Sequence, residues 1–71
     1  VLIMLDYERK AKILIKTAMA KQDLDYQKLK ELLESKGISI TRENLTNKIN
    51  RGKFSFAFAL CLFDVLNMEI N

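Results

Sequence analysis

Seventy-one residues make one domain, near the size at which a single apolar core only just outweighs chain entropy. One cysteine and no histidine exclude an internal disulfide, the usual ligands of a structural zinc site and the Cys-His pair of a nucleophilic enzyme. Twelve Lys and Arg against nine Asp and Glu give a net charge of +3, which suits a polyanionic partner without demanding one.

The chain opens on Val1–Leu5, a β-leaning segment with no partner in the rest of the sequence. It reads as a short strand or arm, either disordered or paired with the same segment of a second copy. No basic stretch precedes it, so a signal peptide is not expected. Neither it nor the apolar run Phe56–Phe63 is long enough to cross a bilayer. The expected compartment is the cytoplasm, without membrane association.

There is no proline, and the only glycines are Gly37 and Gly52, so the rest of the chain is predicted to be helical almost throughout. Asp6 caps a first helix whose core stripe is Tyr7, Ala11, Leu14 and Ala18, with Arg9, Lys10, Lys12 and Lys16 in solvent. Asp25 caps a second, with Leu29, Leu32 and Leu33 inward, which stops at Lys36-Gly37. Asp23 and Asp25 read as caps rather than as an acid–base pair. A fourth helix, capped by Ser55 and running from Phe56 to about Asn67, is apolar nearly all round, which predicts a central strut, a subunit interface or both. Cys61 reads there as a small buried hydrophobe, and Met19, Met68 and Ile70 as fillers around it.

The third helix is the most informative. Thr41 is its N-cap and Gly52 its stop, and Leu45 and Ile49 form an i, i+4 apolar pair. At about 100° per residue, Glu43, Asn44, Asn47, Asn50 and Arg51 fall opposite that pair, with Arg42 and Thr46 at the flank. Amides, a hydroxyl and guanidinium groups are the side chains that pair with base edges and phosphates, and a helix is the element that enters a DNA major groove. Arg42, Lys48, Arg51 and Lys53 against Glu43 leave +3 within residues 42–53, equal to the excess of the whole chain.

Leu24-Asp25-Tyr26-Gln27-Lys28-Leu29, then Asn44-Leu45-Thr46-Asn47-Lys48-Ile49-Asn50, then Gly52-Lys53-Phe54-Ser55 and the apolar run beyond resemble the lambda-repressor-like (Cro/C1, XRE-type) helix-turn-helix domain. Arg42-Glu43-Asn44-Leu45, Asn47-Lys48-Ile49 and Arg51-Gly52-Lys53-Phe54 are also similar to a family of short uncharacterised bacterial proteins of helix-turn-helix type. The resemblance, over roughly residues 7 to 68, implies an all-α, four-helix bundle. It implies that Arg42, Glu43, Thr46 and Asn47 face bases, that Tyr26 or Gln27 touches a phosphate or outer base, and that Asn50, Arg51 and Lys53 grip the backbone. Leu45 lies sixteen steps after Leu29, about five more than in the compact motif, because the second helix is longer and residues 37–40 are not the usual tight turn.

The expected function is sequence-specific binding of double-stranded DNA by a homodimeric bacterial or phage-type transcriptional regulator, since one recognition helix reads only a few base pairs. The alternative is a protein-interaction or antitoxin-like module that uses the apolar fourth helix. RNA binding ranks last, because the aromatics are expected in the core rather than exposed for stacking. No glycine-rich phosphate loop or catalytic pair is visible, so neither an enzyme nor a cofactor or small-molecule substrate is expected.

Overall fold

The computed structural model describes residues 2–68, with side chains from residue 5 onward. It is all-helical, built of α1 (Leu2–Lys21), α2 (Tyr26–Ser35), α3 (Arg42–Arg51) and α4 (Phe56–Val65). Each of the last three starts at the residue whose side chain can cap it. Asp25 Oδ1 accepts from Lys28 N at 2.8 Å, Thr41 Oγ1 from Asn44 N at 3.1 Å, and Ser55 Oγ from Phe58 N at 3.0 Å. Three helices end in the same device, a left-handed residue followed by an apolar one whose N–H returns to the carbonyl five residues back. Asp23, Gly37 and Asn67 take the positive φ, and Leu24, Ile38 and Met68 bond to the carbonyls of Met19, Leu33 and Phe63. Asp23 therefore closes α1, while Asp25 opens α2.

The first helix departs from the sequence reading in its start and its phase. Residues 2–5 continue α1 rather than forming a strand or arm, and Asp6 lies inside the helix instead of capping it. An apolar segment with no sheet edge to pair with completes its backbone hydrogen bonds most readily by extending the adjacent helix. Val1 and Ile70 lie outside the described residues. The core stripe is Ala11, Ile15, Ala18 and Met19, with Glu8 and Lys12 half-buried along it, whereas Tyr7 and Leu14 are 60% and 48% exposed. Ala11 and Ala18 are common to the expected stripe, and Ile15 and Met19 take the places expected of Tyr7 and Leu14.

The core draws on every helix: Ile15, Ala18 and Met19 from α1, Leu29 and Leu33 from α2, Leu45 and Ile49 from α3, Leu62 and Val65 from α4, with Leu66 just beyond. Leu32, expected inward, stands at the rim instead. The long α2–α3 connection is held by Ile38 and Ile40, which pack against the core in place of a tight turn. Lys36 and Asp64 join the end of α2 to α4 at 3.2 Å, and the Gln22 amide donates to the Leu66 carbonyl.

Nor is α4 a central strut. It packs against α2 and buries Leu62 and Val65, with Phe58, Cys61 and Phe63 half-buried, while Phe56, Ala57 and Leu60 face solvent. Phe56 is 73% exposed, so with Tyr7 it corrects the expectation that the aromatics all lie in the core. Among the described residues, no helix is long and apolar enough to cross a membrane.

Candidate nucleic-acid interface

α3 packs against α1 and α2 through Leu45 and Ile49, both fully buried, and this fixes which way its other side chains point. Arg42, Glu43, Asn44, Asn47, Lys48, Asn50 and Arg51 are exposed. Asn44, Asn47, Lys48 and Arg51, spaced i, i+3, i+4 and i+7, share one strip of the helix, and Lys53 joins them after the turn at Gly52. These five line a shallow polar depression of about 430 Å³. It offers two amides, which can both donate and accept, and three cations, the combination that pairs with base edges and phosphate oxygens together.

The cations are held in different ways. Lys48 Nζ lies 5.6 Å from the centroid of the Phe58 ring, which itself pairs with Phe54 at 6.0 Å. An ammonium over an aromatic face is steadied without losing its charge. Among the described residues, no carboxylate lies within salt-bridge distance of Arg42, Lys48 or Arg51. Lys53 is paired with Glu8 of α1, at 3.7 Å. Gly52, left-handed at φ 66°, lets α3 stop directly against the α1 backbone.

The other residues singled out in the sequence occupy more varied positions. Arg42, Glu43 and Asn50 are exposed on α3 but outside the depression. Thr46 is half-buried, and its hydroxyl donates to the Arg42 carbonyl at 2.7 Å, which ties it to the helix backbone. At the start of α2, Gln27 is exposed and donates to Glu31 at 3.2 Å. Tyr26 packs partly into the core and borders a second depression with Lys16 and Leu24. Lys48, counted in the sequence only for its charge, emerges as part of the α3 strip. Glu8 was missed altogether, since it precedes Lys53 by 45 residues and no local pattern joins them.

A family model described as Domain of unknown function (DUF6471) matches residues 7–70. The chain belongs to this family. The match takes in α2, α3, α4 and α1 from Tyr7 onward, so every residue of the α3 depression, and Glu8 beside it, lies within the family's extent. No curated protein and no solved structure matches the chain.

Proposed function

We propose that this protein binds double-stranded DNA in a sequence-specific manner through α3, with α2 and the 36–41 connection completing a helix-turn-helix unit of the lambda-repressor-like type. One observation carries the reading. α3 buries its only two apolar side chains completely and turns Asn44, Asn47, Lys48 and Arg51 outward along one strip, continued by Lys53. A helix of ten residues is about 15 Å long and fits across a major groove. Asn47 and Asn44 are the candidates for base edges, Arg42 and Glu43 for bases at the start of the helix, and Lys48, Arg51 and Lys53 for phosphates. The backbone-tied hydroxyl of Thr46 makes it a weaker candidate, and at the start of α2 the exposed Gln27 is better placed than Tyr26. On this reading the protein is a cytoplasmic transcriptional regulator and not an enzyme.

The apolar face that α4 leaves in solvent supports a homodimer. Phe56, Ala57 and Leu60 are exposed there. A depression of about 560 Å³, lined by Leu14, Ala18, Leu66 and Met68 among others, lies between α1 and the end of α4. Apolar surface of this kind also favours the second reading, a protein-interaction module. Selection from a random duplex library separates the two: enrichment of a palindromic site supports a dimeric DNA reader, and recovery of no motif supports the interaction module.

A further inference from the structure

The carboxylate of Glu8 stands where the α3 face ends. Its side chain is 18% exposed, against 68% for Lys53, and Oε2 lies 3.7 Å from Lys53 Nζ. The backbone enforces this placement. A Cβ on Gly52 would sit 2.0 Å from the Glu8 carbonyl oxygen, so the stop of α3 touches α1 at this residue and the Glu8 side chain emerges beside position 53. A carboxylate largely withdrawn from water attracts its cation more strongly than an exposed one, and it equally repels a phosphate arriving at the same point. Lys48 and Arg51 meet no such competitor among the described residues.

We propose that Glu8 is a positioning residue of the α3 interface that holds Lys53 in an intramolecular ion pair, so that a phosphate must share Lys53 with Glu8 or displace it. This rests on the duplex-binding reading of α3 and adds a restraint imposed on it from α1. Lys53 then contributes less to backbone binding than Lys48, although both carry one charge on the same face. The grip on DNA of any sequence is set below what the cations of α3 alone would give.

A double-mutant cycle on the full chain tests this, using Glu8→Gln, Lys53→Gln and the double variant, with fluorescence anisotropy on a random-sequence duplex of about 20 base pairs. Glu8→Gln should tighten binding about two- to fivefold when Lys53 is present and steepen the log–log salt slope by up to about 0.9 per subunit. In the Lys53→Gln background the gain should fall to less than half. Equal gains in both backgrounds would show that Glu8 acts only as a distant charge and would overturn the proposal. If Glu8→Gln is too unstable to assay, the exposed pair Lys53→Gln and Lys48→Gln decides. A smaller loss for Lys53→Gln upholds the proposal, and equal losses overturn it. No duplex binding by the wild-type chain would instead remove the reading of α3 itself.

Discussion

Gly52 and Gly37 both sit at helix ends with positive φ, 66° and 86°, but a side chain at each would meet very different surroundings. At Gly37 an added Cβ has nothing within 4 Å, so Gly37→Ala incurs only the left-handed backbone penalty, about 1–2 kcal/mol. At Gly52 the same penalty applies, and the Cβ would also lie 2.0 Å from the Glu8 carbonyl oxygen and 2.7 Å from its carbon. Those are backbone atoms and cannot swing aside, so α1 and α3 must separate, which loosens the core they share. The combined cost is about 3–5 kcal/mol, against a total stability of about 4–10 kcal/mol for a chain of this length. Thermal unfolding followed by far-UV circular dichroism should show Gly37→Ala lowering Tm by about 5–10 °C, and Gly52→Ala by about 15 °C or more or failing to fold. Equal shifts for the two variants would refute the close approach of α1 and α3 on which the site is built.

Duplex binding should be steeply salt-dependent. With about two to three phosphates neutralised per subunit by Lys48, Arg51 and, beside the bases it faces, Arg42, and with Lys53 held by Glu8, the log–log slope for a dimer should be roughly −4 to −5, and a slope near zero with retained affinity would rule out this mode. Leu33→Ala should cost about 2–5 kcal/mol in urea unfolding and Leu32→Ala under about 1 kcal/mol, because the first side chain is fully buried and the second is at the rim. Phe56→Ser with Leu60→Ser should convert a dimer to monomer in sedimentation at tens of micromolar while leaving the far-UV circular dichroism spectrum unchanged, since both side chains face solvent on α4. A wild-type chain that sediments only as monomer would remove the dimer from the account.

The parts of the fold set by neighbours in sequence were readable from it. Asp25, Thr41, Ser55, Gly37 and Gly52 act within one helical turn, and all five close or open the helices they were expected to. The burial of Leu29, Leu33, Leu45 and Ile49 followed from helical spacing in segments that are otherwise polar. The phase of α1 did not follow. Ala11 and Ala18 belong to both possible stripes; the one with Tyr7 and Leu14 carries no charge, while the one used adds Ile15 and Met19 and runs past Glu8 and Lys12. Contact with α3 chose between them, because the Gly52 stop packs on the backbone at Glu8 and turns that side of α1 inward. Glu8 is then met by Lys53, and Lys12 is half-buried along the same side. The outward face of α3 was legible because Leu45 and Ile49 alone fix its orientation. Its partner on α1 was not, since a contact across 45 residues leaves no periodic trace.

The central claim is that the amides on the outward face of α3 read bases while Lys48, Arg51 and Lys53 grip the backbone. Selection from a random duplex library, run in parallel on the wild type, Asn47→Ala and Lys53→Ala, tests it most directly. Asn47→Ala should lose about 1–3 kcal/mol of discrimination at one position of the recovered site, and Lys53→Ala should leave the site unchanged while weakening all sequences about equally. An unchanged site with Asn47→Ala, together with an altered one with Lys53→Ala, would contradict the account.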